Sequence, residues 1–540
     1  MSVRDAKLRA SVVALATTMI LVGCGANGGN SGGDREPQAG GKLTFVLSAD
    51  AAGFDPISNA ASFSGQTYTM IRTILEPLVA LDSDSKWQPF LAKSIGPNTD
   101  ATQWTIKVRD GITFSNGDAL DAAVVAANLK AQLKAPLNAS TFAAVKSVEA
   151  TDAMTVVVSM SKPWATFPYY LTGSAGLVVP LSSLENPKQA SDAPIGTGPF
   201  LFVGHVAGSS MKVKKNPKYW RADKGLPYLD EVEFRIVPDG TQRTLAVRAH
   251  DVDGMSSRDP QDVLRFGKDP AYTTTRVKGM AVTEGLFFLN TASKQLGDVE
   301  LRRALAHATD QQAFVKTLRG GLTEPATGPW SQDTPWYHKT DYPTFDLGKA
   351  TEAVRRYEAA NGPVKLSLIT LADPAATQSA QLLQDMWGKA GVDLKIDQVD
   401  QTTLVQRLLT GDYDVSSAYE FGAADPDLER RLFHSSGLTP LGQMSTVITR
   451  LKDAELDAAF DAGRTTTDTD QRVAAYATVQ ERLADLVPII WIDHANASAI
   501  ITGSKVHGVG ADVLPSGQQE AGPYGAPSPS LSFASVWVEH

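Results

Sequence analysis

Residues 364–419 carry the strongest constraint on how this chain can fold. Three apolar runs, Val364–Ile369, Val392–Val399 and Tyr413–Tyr419, alternate with helical patterns at Ala376–Lys389 and Thr402–Leu409. The first helix gathers Leu382, Leu383, Met386, Trp387 and Ala390 on one face and stops at Gly391, while the second stops at Gly411. Strands joined by single helices over short connections form a βαβαβ unit, so this stretch is predicted to make a parallel sheet. Ligands of such sheets sit outside the carboxyl ends of the strands, which makes Thr370–Asp373 and Glu420–Asp425 the expected wall segments. Trp387 and the leucines beside it follow core periodicity and are read as packing.

Further strands are predicted at Leu43–Leu47, Trp104–Val108, Met154–Val158, Val232–Val237, Leu286–Leu289 and Ile489–Ile492, giving an α/β class. A chain of 540 residues exceeds what one hydrophobic core organises, so several domains are expected. With 50 basic and 59 acidic residues and no Lys/Arg run, the chain lacks the footprint of a nucleic-acid groove.

The N-terminus reads as a leader. Arg4, Lys7 and Arg9 precede an apolar stretch, Ala10 to Val22, too short to span a bilayer but suited to a signal-peptide core. It ends in Leu21-Val22-Gly23-Cys24, which looks like a bacterial lipobox, with Cys24 as the lipidated residue. Cys24 is the single cysteine, so after acylation no thiol remains for disulfides, thiol catalysis or thiolate metal sites. Removing residues 1–23 shifts the formal charge from −9 to −11, because three basic residues leave with Asp5. Gly25 to Gly40 forms a Gly/Asn/Ser-rich tether with a mean span of roughly 20–25 Å. The expected location is extracytoplasmic, anchored by lipid on the periplasmic or cell-surface side of the cell membrane, with no spanning segment.

Enzyme signatures are missing. There is no Gly-x-Ser-x-Gly elbow, His-Glu-x-x-His, phosphate loop or complete dinucleotide fingerprint. Gly196-Thr197-Gly198-Pro199 begins like a phosphate cradle, but Pro199 removes a backbone donor and Leu201 stands where the third glycine belongs, so a tight chain turn is the better reading. The eight histidines are scattered, with no pair at i, i+4. The acids of Asp425-Pro426-Asp427-Leu428-Glu429 fit a helix cap facing water. No catalytic residue, cofactor or metal is expected.

A series of motifs, in order along the mature chain, then resembles the extracellular solute-binding proteins of family 5, the oligopeptide-, dipeptide- and nickel-binding components of ABC importers. They are Gly41-Lys42-Leu43, Gly53-Phe54-Asp55-Pro56, Leu75-Glu76-Pro77-Leu78-Val79, Trp87-Gln88-Pro89, Trp104 to Gly111 with Phe114-Ser115-Asn116-Gly117, Gly196 to Phe200, Asn216-Pro217-Lys218-Tyr219-Trp220, Pro227 to Val232, and Val299 to Leu305 with Asp310. Their own readings are structural: Arg109-Asp110-Gly111 closes a strand in a turn, and Asp298 and Asp310 are N-cap candidates for helices starting at Val299 and Gln311.

The resemblance implies a periplasmic-binding-protein-like class II (cluster C) fold: two α/β lobes around a cleft plus an additional lobe. The first lobe would comprise 41–81, 194–283 and 494–540, the second 82–193 and the third 284–493, after the signal peptide (1–23) and the lipidated tether (24–40). It further implies a monomer that closes by a hinge on a small-molecule or peptide ligand and delivers it to an ABC permease and ATPase complex. Ser62 and Phe63 would line the cleft from the first lobe, and Gln401, Tyr419, Glu420 and Phe421 from the third. Phe142 resembles the aromatic lent by the second lobe, with core packing as its competing role. Peptide-binding relatives place an aspartate where this chain has Gly422, so the usual partner of a peptide ammonium is missing. Asp425 and Glu420 are the acids that would replace it, Glu420 preferred, with a helix cap and a solvent-facing acid as their alternative roles. The rival functions are an envelope regulator or assembly factor on the same fold with a degenerate cleft, and an anchored hydrolase using unpatterned carboxylates.

Overall fold

The computed structural model describes residues 36–58, 65–135, 138–257, 259–276, 283–421, 423–495, 499–521 and 531–540. The expected leader, Cys24 and most of the expected tether lie outside them. Three sheets organise the body. The first has seven strands in the order Tyr272–Arg276, Ala499–Gly503, Gly254–Ser257, Lys42–Leu47, Glu231–Ile236, Ser210–Lys215 and Phe200–Val206. Its central strand, Lys42–Leu47, pairs in parallel with both neighbours and is buried from Leu43 onward. A strand covered on both faces needs an uninterrupted apolar run, which Leu43-Thr44-Phe45-Val46-Leu47 nearly supplies.

The second sheet is antiparallel, ordered Ala92–Pro97, Gln103–Val108, Thr155–Met160 and Val145–Asp152. Buried and less buried residues alternate along Gln103–Val108 and Thr155–Met160, as expected for a sheet with one covered face. Helix Ala122–Gln132, capped by the Asp121 carboxylate on the Val124 N–H, packs on it. Trp104, Phe142, Trp164, Phe167 and Tyr170 fill the core with edge-on and tilted ring contacts.

The third sheet holds the βαβαβ unit. Its order is Glu324–Pro325, Ile489–Ala495, Thr283–Leu289, Val415–Phe421, Lys365–Leu371 and Asp393–Val399. Lys365–Leu371 pairs in parallel with both Asp393–Val399 and Val415–Phe421. Helices Pro374–Lys389 and Gln401–Thr410 connect them, capped by Asp373 and Asp400 and stopped at Gly391 and Gly411, both with positive φ. Asp298 and Asp310 cap Val299–His307 and Gln311–Leu318 as read from the sequence. The sheet as a whole is mixed rather than parallel. Thr283–Leu289 carries the chain into this unit and Ile489–Ala495 carries it back out, so the two run antiparallel, and Val415–Phe421 pairs antiparallel with the first of them.

Candidate functional site

The βαβαβ topology sends Val415–Phe421 outward with Tyr419, Glu420 and Phe421 as its last three residues, at the carboxyl end where a ligand wall was expected. Register brings the entry and exit strands beside them. Tyr419 stands opposite Gly285, which stands opposite Asp493, and Glu420 opposite Glu284, His494 and then Glu324 in the next row. A bulge between Gly285 and Leu286 shifts this edge relative to the apolar body of the sheet.

Asp493 is fully buried in this edge. One carboxylate oxygen, Oδ2, accepts from Arg319 Nε at 3.0 Å and from the Thr323 hydroxyl at 2.8 Å. The other, Oδ1, has no hydrogen-bond partner among the described residues and lies 2.1 Å from where a Cβ on Gly285 would stand. Gly285 is therefore the residue that lets this carboxylate lean toward the strand bearing Tyr419. Burial pushes the His494 imidazole down to about 4, against the pull of Asp493, so His494 is neutral at pH 7. Sequence reasoning missed Asp493, Arg319 and His494. The available signal was a charged pair, Asp493-His494, directly closing the apolar run Ile489-Ile490-Trp491-Ile492.

The other expected site residues do not all meet here. Gln401 is exposed at the first position of its helix, two strands from Val415–Phe421, roughly 10 Å across the sheet. Ser62, Phe63 and Gly422 lie outside the described residues. Phe142 is 4% exposed and packs against Trp164 and Tyr170, so in this structure it is a core residue of the second sheet.

The acidic segment after the strand does cap a helix, but it does not face water. Asp425 is 1% and Asp427 0% exposed. Asp425 accepts from Arg472 Nη2 at 2.6 Å and from the Asp427 N–H at 3.0 Å. Burial pushes its carboxyl up, opposed by Arg472. Asp427 accepts from Arg464 Nε at 2.9 Å, the Thr166 hydroxyl at 2.5 Å and Trp164 Nε1 at 3.2 Å. The reason is its neighbours: Ala423, Ala424 and Leu428 are inserted into the core of the second sheet and carry the acids in with them. Buried carboxylates persist only with such partners; Asp425 gives Oδ1 to Arg472 and the Asp427 N–H, while its buried Oδ2 has no hydrogen-bond partner among the described residues.

Three of the motif segments converge elsewhere, on Glu76. Its carboxylate accepts from the Thr197 hydroxyl at 2.9 Å, Tyr219 OH at 2.7 Å and Trp220 Nε1 at 2.8 Å. Gly196 and Gly198 are required beside it, because a Cβ would fall 2.0 and 2.5 Å from the Ile74 carbonyl oxygen. The glycine-rich stretch is a turn pressed against backbone, not a phosphate cradle. Among the described residues no three His, Cys, Asp or Glu side chains assemble into a metal-holding group.

What this arrangement defines is a binding fold: a sheet whose carboxyl edge is polar and bordered by the strands that join it to the rest of the body. Residues 86–437 match the family model "Bacterial extracellular solute-binding proteins, family 5 Middle". The chain is 28% identical over 436 residues to Protein XP55 of Streptomyces lividans, covering 76% of each. It is 26% identical over 449 residues to the nickel-binding periplasmic protein of Escherichia coli K12, covering 78% of this chain and 84% of the relative. The solved structure of the periplasmic binding protein DppA from Helicobacter pylori, in complex with the peptide STSA, superposes with a TM-score of 0.81 at 22% identity, over 93% of this chain and 99% of the other. The protein belongs to the family 5 extracellular solute-binding proteins, with their class II binding-protein fold. It is a binding protein of the ABC-importer type and not an enzyme, which removes the hydrolase reading.

Proposed function

We propose that this protein is the lipid-anchored capture component of an ABC importer, taking a peptide or peptide-like solute into a cleft beside Tyr419–Phe421 and delivering it to a membrane permease. The observation that carries the reading is the polar edge of the third sheet, where the strand ending at Phe421 meets the strands that carry the chain in and out of that unit. A ligand bridging this edge and the first lobe stabilises the closed state because it touches both at once. Tyr419 supplies an aromatic wall, and Glu420 is the preferred acid for a ligand ammonium, given Gly422 and the Arg472 guanidinium already held by Oδ1 of Asp425. Gln401, Phe421, Ser62 and Phe63 complete the proposed lining, and Cys24 carries the lipid.

The test is to purify residues 25–540, denature the protein and identify released small molecules by mass spectrometry. A stoichiometric solute bearing a free amine supports the reading. With that solute in hand, Tyr419→Ala should weaken binding by about 1–3 kcal/mol without unfolding the chain. An empty preparation that gains no thermal stability from peptide, sugar or metal-chelate libraries overturns it in favour of an envelope regulator on the same fold.

A further inference from the structure

The second and third sheets are not joined directly by the chain. Both ends of the second run into the first sheet, since its strands lie in chain order between Lys42–Leu47 and Phe200–Val206. The third also continues from the first, entered from Tyr272–Arg276 and left toward Ala499–Gly503. What the second and third share is a side-chain contact. Trp164, Thr166 and Tyr170 come from the second; Asp427 and Arg464 come from the third, Arg464 on helix Ala454–Thr465, whose Leu456 and Phe460 lie in the third core. Asp427 Oδ2 accepts from the Thr166 hydroxyl at 2.5 Å and from Trp164 Nε1 at 3.2 Å, and the Asp427 carbonyl accepts from Tyr170 OH at 2.5 Å. Arg464 gives Nη2 to Tyr170 OH at 2.8 Å and lies 4.2 Å above the Trp164 ring, and its carbonyl accepts the Ala165 N–H at 2.9 Å.

The contact is built to come apart. Arg464 Nε holds both carboxylate oxygens of Asp427, at 2.9 and 3.1 Å, and the two residues stand on the same side, so the ion pair stays whole when the sheets separate. On the other side Trp164 Nε1 also donates to Thr166 Oγ1 at 3.1 Å. Separation therefore strands no charge, and each broken hydrogen bond is exchanged for one to water. The apolar share is small: the segment after Val415–Phe421 lends the second core Ala423, Ala424 and Leu428. Beside Tyr170 and Arg464 the walls already part, with Ser140 and Thr141 facing Arg430 and His434 across a gap open to water. From these observations we propose that the contact is a latch. It forms when the third sheet swings against the second, holds that closed arrangement without ligand, and so sets the fraction of molecules poised to trap one. The latch rests on the hinge closure of the proposed function but not on the identity of the solute.

The experiment measures the distance between the two bodies without ligand. Residues 25–540 contain no cysteine, so Lys130→Cys on helix Ala122–Gln132 and Lys389→Cys at the end of Pro374–Lys389, both exposed, take one pair of spin labels. The labelled chain is stripped of solute in denaturant and refolded. One short distance is expected. Thr166→Val with Tyr170→Phe removes three of the crossing hydrogen bonds and leaves Asp427 on Arg464. In that background a longer distance should appear, carrying at least ten times the share of molecules it has in the labelled parent. The same distances in both chains would overturn the latch, and a loss of urea stability with no new distance would make the contact a fixed joint. A parent already at the longer distance would overturn it equally. Should the double variant fail to fold, Thr166→Val alone decides. No ligand enters the measurement, so an empty cleft, which would overturn the solute reading, leaves this test intact.

Discussion

Removing the Asp427 carboxylate tests whether the acids after the third-sheet strand hold the structure together. Arg464 has a side chain only 7% exposed, lies 4.2 Å above the Trp164 ring, and relies on Asp427 for its countercharge. In Asp427→Ala that charge stays buried and unpaired, the hydroxyl of Thr166 loses its acceptor, and the indole N–H of Trp164 keeps only Thr166 Oγ1. Breaking a buried pair from one side costs about 3–5 kcal/mol. Asp427→Asn keeps the shape and one carbonyl oxygen, so about 2–3 kcal/mol is expected, the worth of a charge-assisted hydrogen bond. Replacing both partners, Asp427→Leu with Arg464→Met, leaves no orphan charge and should recover at least half of the alanine loss. The assay is urea denaturation at pH 7 followed by tryptophan fluorescence, to which Trp104 and Trp164 contribute among nine tryptophans. The reasoning fails if Asp427→Asn lies within about 0.5 kcal/mol of wild type, or if the double variant is no more stable than Asp427→Ala.

Two other outcomes follow from buried contacts. Gly196→Ala would force a Cβ against the Ile74 carbonyl oxygen and should abolish soluble expression, whereas Gly208→Ala, at φ +70 in open space, should cost only about 1 kcal/mol in thermal unfolding; equal behaviour would contradict the close approach. Glu520 pairs with Arg72 at 3.0 Å, and burial pushes its carboxyl from 4.5 up to about 7 against the pull of Arg72. A raised folded-state value means its contribution is full below pH 4.5 and is lost as pH rises through about 7. The side chain keeps 17% exposure, which trims the roughly 3 kcal/mol implied by the shift to about 2. Glu520→Gln should therefore flatten melting temperature against pH across that window, and an unchanged slope would show that Glu520 does not titrate there.

How much of this was legible in the sequence follows from range. The βαβαβ unit, its caps at Asp373 and Asp400 and its stops at Gly391 and Gly411 depend on neighbours a few residues away, and the pattern of apolar positions displays them. The mixed character of the sheet depends on where the chain enters and leaves, which no local pattern encodes. Asp425 and Asp427 look like a solvent-facing cap because their partners, Arg472, Arg464 and Thr166, lie 37 to 261 residues away. Phe142 has the same composition of neighbours whether it lines a cleft or fills a core, and only the rings of Trp164 and Tyr170 separate the two. Asp493 was invisible for a related reason: its relation to Tyr419 passes through Gly285, a residue with no side chain to announce it.

The Glu76 carboxylate also settles how the second sheet is attached. The chain departs just after Glu76, builds that whole sheet, and returns at Gly196, where the Gly198 N–H donates to the Ile74 carbonyl at 2.8 Å. Entrance and exit are thus pinned at one point by backbone and by Thr197 on Glu76, with Tyr219 and Trp220 clamping from outside. A stretch of some 120 residues thus leaves and returns through one neck, while Ala423, Ala424, Leu428 and Leu514 from outside it complete its core, so any exchange at this neck has to carry those residues with it.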